Sequence, residues 1–172
     1  MIPVVALVGR PNVGKSTLFN RLTRSREALV DDQPGVTRDR LYGEGVNRGR
    51  RFLLVDTGGL SDEVDELSVA VREQVMQALA EADAVVFLLD AREGLSGADA
   101  EIAADLRKGE TPVVTAVNKA EGLDRDITAS EFFELSLGVP QVISAKTGQG
   151  VPDFLDTLTD ALPEGQFETS PA

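Results

Sequence analysis

The stretch Val4–Ser16, VVALVGRPNVGKS, decides the fold of this 172-residue chain. It opens with apolar, valine-rich residues, as in a strand buried on both faces, and residues 9–16 then match the pattern G-x-x-x-x-G-K-[ST]. The helical spacing of Leu18, Phe19 and Leu22 comes next. A strand, a glycine-rich loop and a helix in this order surround a phosphate group with backbone N–H groups and a lysine. The stretch therefore predicts a phosphate-binding loop in an α/β domain.

Short apolar segments alternate with helical periods over the rest of the chain. Strands are predicted at Val4–Val8, Leu41–Val46, Phe52–Val55, Ala84–Leu89, Pro112–Val117 and Gln141–Ile143. Helices are predicted around residues 18–22, 67–79, 98–106 and 154–162. The segment Leu41–Val46 reaches Phe52 through a loop of hairpin length, so this strand is expected to be antiparallel to the next. The predicted fold is a three-layer α/β domain with a mostly parallel six-stranded sheet that contains one antiparallel strand.

Length, charge and missing residue types limit the possible functions. A length of 172 residues fits one domain, predicted at residues 1–162, followed by an acidic linker or tail at 163–172. The net charge of −12 divides into +5 for residues 1–51 and −17 for the remainder, so a polyanion is expected to meet the N-terminal third. The absence of Cys and His excludes thiolate and imidazole chemistry. Because no apolar run is long enough for a membrane span, we expect a cytoplasmic monomer without membrane contact.

Residues near the ends of predicted strands supply the groups that a triphosphate and a magnesium ion require. Lys15 is expected to bridge the terminal phosphates, and the Ser16 hydroxyl to bind Mg²⁺. Asp56 ends a buried strand and can hold Mg²⁺ through water, while Gly59 can offer its N–H to the γ-phosphate. Thr37 lies in a segment without periodicity and can give Mg²⁺ a hydroxyl and the γ-phosphate an N–H. Lys15, Thr37 and Gly59 are therefore the predicted catalytic residues.

Two later strands end in Asn118-Lys119-Ala120-Glu121 and Ser144-Ala145-Lys146. Taken in order with the phosphate-binding loop and Asp56-Thr57-Gly58-Gly59, they resemble the base-reading segments N-K-x-D and S-A-K of the translation-factor and Ras-like GTPases. Guanine presents two donors, N1–H and N2–H₂, to one carboxylate, whereas adenine would leave that carboxylate unpaired at a cost of about 1–3 kcal/mol. Glu121 stands where these families usually have Asp, and one extra methylene keeps both acceptor oxygens. Guanine preference is therefore expected to persist.

The whole chain resembles the EngA family, also called Der, of bacterial ribosome-assembly GTPases, and within it the first of two GTPase domains. The segments that carry the resemblance are Gly9–Leu22, Pro34–Arg40, Asp56–Gly59 and Gly122–Asp124. The resemblance implies a Ras-like P-loop NTPase fold, hydrolysis of GTP to GDP with Mg²⁺, and a role in assembly of the large ribosomal subunit. It also implies that contact with the ribosome needs a second GTPase domain and a KH-like domain beyond these residues.

Position 60 bears on how GTP is hydrolysed. Leu60 stands where Ras-like switches have the Gln that orients the attacking water, and a leucine side chain can neither donate nor accept a hydrogen bond. The resemblance implies that a potassium ion near the β- and γ-phosphates contributes instead, with Asn12 as its side-chain ligand and carbonyl groups of residues 31–37 completing the site. A cation there would stabilise the charge that develops on the transferring phosphoryl group. Hydrolysis is therefore expected to be slow and stimulated by potassium, with Asp39 and Thr37 as candidates for positioning water.

Other functions remain open at this point. The residues expected to contact the nucleotide are Asn12, Val13, Gly14, Lys15, Ser16, Thr17, Pro34, Thr37, Asp56, Gly59, Asn118, Lys119, Glu121, Ser144, Ala145 and Lys146.

The main alternative is a nucleotide-sensing binding module with little hydrolysis of its own, since Leu60 lacks a polar group. Another GTPase of the Era or TrmE type is a second alternative, and an adenine-nucleotide kinase or ATPase is disfavoured by Asn118-Lys119. The cationic residues Arg48, Arg50 and Arg51 are candidates for a contact with ribosomal RNA.

Overall fold

The computed structural model describes residues 2–23, 41–56 and 67–163. The strands and α-helices in these ranges are β1 Val4–Val8, α1 Lys15–Leu22, β2 Leu41–Asn47, β3 Arg50–Asp56, α2 Leu67–Glu81, β4 Ala84–Asp90, α3 Gly97–Lys108, β5 Val113–Asn118, α4 Arg125–Phe132, β6 Gln141–Val142 and α5 Val151–Ala161. The strand order is β2-β3-β1-β4-β5-β6. The β2–β3 pair is antiparallel and the other four pairs are parallel. The predicted mostly parallel six-stranded sheet with one antiparallel strand is confirmed.

Helices cover both faces of the sheet because its central strands are apolar on both sides. One core lies between the sheet and the pair α1 and α5, where Phe19 and Phe154 are buried. The other lies between the sheet and α2, α3 and α4, with Val75, Leu106 and Phe132. Burial of each such large side chain stabilises the fold by about 1.5–3 kcal/mol. The C-terminal ends of the parallel strands therefore lie on one rigid edge, which is where ligands bind in sheets of this kind.

Helix α4 has no counterpart among the predicted helices. Its buried residues are Thr128 and Phe132, and Ile127, which precedes Thr128, is largely exposed, so the sequence carries no apolar stripe of several turns. The start of the helix is fixed by Asp124, whose side chain accepts the N–H of Ile127 at 3.0 Å. A single turn of 3₁₀ helix, Phe133–Leu135, follows it. The layer on this side of the sheet therefore contains one more helix than the sequence indicated.

The β2–β3 hairpin has a tighter turn than the one predicted from the sequence. Its two turn residues, Arg48 and Gly49, have φ values of 53° and 77°, the pair of left-handed conformations of a type I′ turn. Strand β3 consequently begins at Arg50. Arg48 also donates to Oδ1 of Asp160 in α5 at 2.6 Å, so the hairpin tip is attached to the last helix. No helix of the described residues is both long enough and apolar enough to cross a membrane.

Candidate nucleotide-binding site

The phosphate-binding loop joins β1 to α1 through two residues in the left-handed backbone conformation. Asn12 has a φ of 70° and Gly14 a φ of 100°. A Cβ atom at Gly14 would lie 2.2 Å from Nδ2 of Asn118, so glycine is required there for space as well as for conformation. Gly14 is the N-cap of α1 and, having no side chain, makes no capping hydrogen bond to the first-turn N–H groups. The first N–H groups of α1 are therefore available to an anion.

Lys15 and Asp56 place opposite charges beneath this loop. Lys15 is only 7% exposed, and burial lowers its pKa, while the negative charge of Asp56 acts in the opposite direction. Asp56 is fully buried at the end of β3, level with Leu7 of β1. Ser16 and Thr17, by contrast, are exposed on the first turn of α1. A buried cation, a buried carboxylate and accessible hydroxyl groups thus meet at the edge of the sheet where the phosphate-binding loop begins.

Asn118 connects the phosphate-binding loop to the segment that follows β6. Its Nδ2 atom donates to the carbonyl oxygen of Val13 at 2.9 Å, and its Oδ1 atom accepts the N–H of Ala145 at 2.8 Å. The side chain is buried, at 3% exposure. These bonds use one N–H and one lone pair of the amide, and the amide retains a second N–H and a second lone pair for a ligand. Asn118 is therefore first a structural bridge between two parts of the site.

Lys119 makes the next connection. Its Nζ atom donates to the carbonyl oxygen of Asn12 at 2.6 Å and lies 2.9 Å from Oδ2 of Asp90. Its backbone is left-handed, with a φ of 67°. The structure thus brings together Asn12 and Lys119, two of the predicted site residues, and adds Asp90, which was not predicted.

Glu121 presents a carboxylate oxygen that receives no hydrogen bond from the described residues. Hydrogen bonding from Ser144 and from the backbone N–H of Glu121 lowers the pKa of this carboxyl group, and the charges of Arg92 and Lys146 act in the same direction. Its Oε2 atom is buried, and no donor among residues 2–23, 41–56 and 67–163 reaches it. Arg92 donates to the backbone carbonyl of Glu121. Glu121 is therefore an ionised acceptor with a buried oxygen that a ligand donor can pair.

The loop after β6 is held by hydrogen bonds that its sequence does not reveal. Arg21 in α1 donates through Nε to the carbonyl oxygen of Ala145 at 2.5 Å and through Nη2 to that of Lys146 at 2.9 Å. The Ser144 hydroxyl accepts the N–H of Thr147 at 3.2 Å. These bonds fix the backbone of Ser144-Ala145-Lys146 beside Asn118 and Glu121.

Several predicted site residues lie outside the described residues. They are Pro34, Thr37, Asp39, Gly59 and Leu60. Within the described ranges, Ser16 and Asp56 offer hydroxyl and carboxylate oxygens, which are ligands that Mg²⁺ prefers. No group of three or more acidic side chains that could hold a metal occurs in those ranges. The residues present therefore fit a magnesium ion that the phosphates of a nucleotide help to bind.

Four residues that organise the site were missed by sequence reasoning: Arg10, Asp90, Arg92 and Asp99. Asp90 ends an apolar strand at the same edge of the sheet as Asp56, so the rule that identified Asp56 could have found it. The other three gave no signal, because their roles depend on partners far along the chain. Arg10 occupies a variable position of the phosphate-loop pattern, and its partner Asp99 is 89 residues away.

The family model described as a 50S ribosome-binding GTPase matches residues 4–119. GTPase Der of Nitrosococcus oceani is 55% identical over 170 residues, which cover 99% of this chain and 37% of the relative. GTPase Der of Chromobacterium violaceum is 56% identical over 165 residues, which cover 95% of this chain and 35% of the relative. This chain therefore spans little more than a third of the length of these relatives.

A solved structure resembles the described fold. The structure of Era in complex with MgGDPNP and nucleotides 1506–1542 of 16S ribosomal RNA has a TM-score of 0.76 and 30% sequence identity. The alignment covers 96% of this chain and 58% of the Era chain.

Proposed function

The chain belongs to the 50S ribosome-binding GTPase family, so it is a GTP-binding and GTP-hydrolysing domain, and on that premise we propose how its residues act. Residues 1–162 form the GTPase domain, and residues 163–172 form an acidic linker. The domain works as a switch that changes state between its GTP and GDP forms.

The buried Oε2 atom of Glu121 is the observation that carries the assignment of guanine as the base. The guanine donors N1–H and N2–H₂ reach this carboxylate and give Oε2 the hydrogen bond that it does not receive from the described residues, whereas adenine would set an acceptor against it. Asn118 and the segment Ser144-Ala145-Lys146 are adjacent, because Oδ1 of Asn118 accepts the N–H of Ala145 at 2.8 Å. The lowered pKa of Glu121 keeps the carboxylate ionised at neutral pH.

The phosphates lie against the loop of residues 9–16 and the N-terminus of α1. The N–H groups of residues 12–17 donate to the phosphate oxygens, and the buried ammonium of Lys15 pairs with the β- and γ-phosphates. Burial lowers the pKa of Lys15 because its charge is poorly solvated. A polyphosphate therefore supplies the negative charge that this site favours.

Magnesium and the residues that lie outside the described ranges complete the proposal. Ser16, Thr37 and, through water, Asp56 hold Mg²⁺, and Pro34 and the N–H of Gly59 contact the nucleotide. A magnesium ion, when bound, neutralises charge on the β- and γ-phosphates. Lys15, Thr37 and Gly59 are the residues that stabilise the transferring phosphoryl group.

Hydrolysis by this domain is slow and stimulated by potassium. Leu60 cannot orient a water molecule, so stabilisation of charge carries more of the reaction. The side chain of Asn12 is the proposed potassium ligand, as the resemblance to the EngA family implies, and its backbone carbonyl oxygen accepts a hydrogen bond from Lys119 at 2.6 Å. The alternative is a sensor that binds GTP and turns it over only with a partner.

Contact with the large ribosomal subunit in the cytoplasm is the proposed cellular role. The family description names the 50S ribosome, and the similar Era structure contains 16S ribosomal RNA. Within this chain, Arg48 donates to Asp160, Arg51 to Glu44, and Arg50 to the Thr159 carbonyl oxygen. RNA phosphates would compete with these groups, so stable contact depends on parts of the longer relatives that this chain does not span.

The first test measures GTP hydrolysis with Mg²⁺ in potassium and in sodium buffers of equal ionic strength. We expect clear stimulation by potassium, and loss of that stimulation in Asn12→Ala with GDP affinity retained. Equal, near-zero rates with GTP still bound would favour the sensor. Competition by ATP as strong as that by GTP would contradict the assignment of guanine.

A further inference from the structure

Asp90 is the last residue of β4 and lies next to the base-recognition segment. Strands β4 and β5 run parallel, and their register places Asp90 opposite Asn118. Its side chain is buried at 2% exposure. An ionised carboxylate in such a position is costly unless charge and hydrogen bonds compensate it.

The two oxygens of this carboxylate have separate partners. Oδ1 accepts the backbone N–H groups of Arg92 at 2.8 Å and Glu93 at 3.1 Å, which shapes the turn after β4. Oδ2 lies 2.9 Å from the Nζ atom of Lys119. The same ammonium donates to the carbonyl oxygen of Asn12 at 2.6 Å. A continuous path of polar contacts therefore runs from β4 through Lys119 to the phosphate-binding loop.

Charge and backbone geometry both indicate that this contact sets the position of Lys119. Burial acts to raise the pKa of Asp90, but the hydrogen bonds from Lys119 and from the two backbone N–H groups outweigh it, and the pKa is lowered. Lys119 has a φ of 67°, a conformation that costs a lysine about 1–2 kcal/mol. Its ammonium would reach solvent easily, since the side chain is 36% exposed. The bonds to Asp90 and Asn12 hold it across the loop instead.

We propose that Asp90 is a positioning residue for nucleotide binding, which acts through Lys119 to hold the base-recognition segment and the phosphate-binding loop at a fixed separation. The inference rests on the proposed function, because it assumes that base and phosphates occupy these two segments. Asp90 itself touches neither group. Its effect is to prepare the site, so that a nucleotide need not order Lys119 and Asn12 on binding.

The substitution Asp90→Asn removes the charge and one of the two acceptor oxygens while keeping the shape of the side chain. Its carbonyl oxygen can still accept the N–H groups of Arg92 and Glu93, but its NH₂ group then faces the ammonium of Lys119. With the amide reversed, the NH₂ group faces the backbone N–H groups, so either orientation sets a donor against a donor. Affinity for a fluorescent GDP analogue is expected to fall about tenfold, the effect of one lost charge-assisted hydrogen bond.

A double-mutant cycle with Lys119→Met tests the path through Lys119. If Asp90 acts through Lys119, the double variant binds the GDP analogue no more weakly than Lys119→Met alone. A purely structural role of Asp90 would instead add its loss to that of Lys119→Met and would overturn the proposal. Unchanged affinity in Asp90→Asn would overturn it as well.

Control variants distinguish a loss of this contact from misfolding and from a failure of the proposed function. Asp105→Asn removes another buried carboxylate, paired with Arg72 at 3.3 Å between α3 and α2, and is expected to leave GDP affinity unchanged. If Asp90→Asn does not fold, variants of Lys119 test the contact between Asp90 and Lys119. Lys119→Arg is expected to bind GDP more tightly than Lys119→Met, because arginine keeps a positive charge beside Asp90. Equal affinity of those two variants would overturn the proposal. Wild-type protein that binds ADP as tightly as GDP would contradict the proposed function instead.

Discussion

The Nε atom of Arg10 lies 2.7 Å from Oδ1 of Asp99, a fully buried carboxylate in the first turn of α3. The other oxygen of Asp99 accepts the N–H of Ser96 at 3.0 Å, and the Ser96 hydroxyl accepts the N–H of Asp99 at 3.2 Å. One carboxylate therefore closes the capping box of α3 and fixes the second residue of the phosphate-binding loop to that helix.

Removal of this carboxylate is expected to destabilise the protein. Asp99→Ala loses the cap and the charged hydrogen bond to Arg10, so the free energy of unfolding should fall by about 2–4 kcal/mol. Ser96→Ala loses only part of the cap and should cost about 1 kcal/mol. Urea denaturation measures both, with the exposed Glu101→Ala as a control that should change little. Equal losses in Asp99→Ala and Ser96→Ala would show that the Arg10 pair adds no stability.

Glycine at position 14 is expected to be essential for nucleotide binding. In Gly14→Ala the new Cβ would lie 2.2 Å from Nδ2 of Asn118, which must move away from Val13 and open the loop. We expect GDP affinity to fall at least about tenfold, as measured by titration with a fluorescent analogue. Gly49→Ala is the matched control, since its φ is also positive at 77° but no atom lies within 4 Å of the new Cβ. Normal GDP binding by Gly14→Ala would contradict the described loop geometry.

Glu121 is expected to control the choice of base. Glu121→Ala removes the acceptor for the two guanine donors, so the preference for GTP over ATP should fall by about 1–3 kcal/mol, or roughly 5- to 150-fold. Competition binding with GTP and ATP measures that ratio. Asp126→Ala removes an exposed acid of α4 and should leave the ratio unaltered. An unchanged ratio in Glu121→Ala would place Glu121 outside the base pocket.

Lys15 is expected to lower the stability of the nucleotide-free protein and to strengthen GTP binding. Because burial lowers its pKa below 10.5, the protonated side chain opposes folding at neutral pH. Lys15→Met should therefore raise the thermal midpoint of the nucleotide-free protein while weakening GTP binding about a hundredfold or more. Thermal unfolding and GTP titration of the same preparations measure the two effects. Retained GTP affinity would contradict a phosphate contact, and Lys108→Met at the exposed end of α3 controls for a general loss of charge.

Asp90 is expected to make the free energy of unfolding depend on pH in the acid range. Its pKa in the folded state is lower than the ordinary value of 3.8, so the folded protein favours the ionised form. The resulting stability is fully present above about pH 3.8 and is lost as the pH falls through the lowered pKa. In urea denaturation of the nucleotide-free protein, Asp90→Asn should be less stable than wild type at pH 6, and the difference should shrink only below about pH 3.8. A difference independent of pH would show that ionisation of Asp90 is not involved.

The local signals in the sequence were sufficient for the sheet, and they named several residues that the structure brings together at one edge of it. Short apolar runs predicted five of the six strands, because strands covered on both faces must be apolar throughout. Strand β2 was predicted from the hairpin-length loop that joins it to the next strand. The local signals were not sufficient for α4, where Thr128 and Phe132 alone face the core and a cap at Asp124 defines the start. The tight Arg48-Gly49 turn was also missed, because its left-handed Arg48 is held by a contact with α5.

The sequence by itself indicated the glycine-rich loop of residues 9–16, the strand-end acid Asp56 and the segments that follow β5 and β6, because each is a short pattern whose chemistry depends on neighbouring residues. The tertiary structure alone decided how these parts are joined. Asn118 donates to Val13, and Lys119 contacts both Asp90 and Asn12. Arg10 is paired with Asp99. The partners in these contacts are up to 107 residues apart along the chain. The parallel strands bring these residues to one edge of the sheet, and a contact made there depends on strand order and register, which no local pattern records.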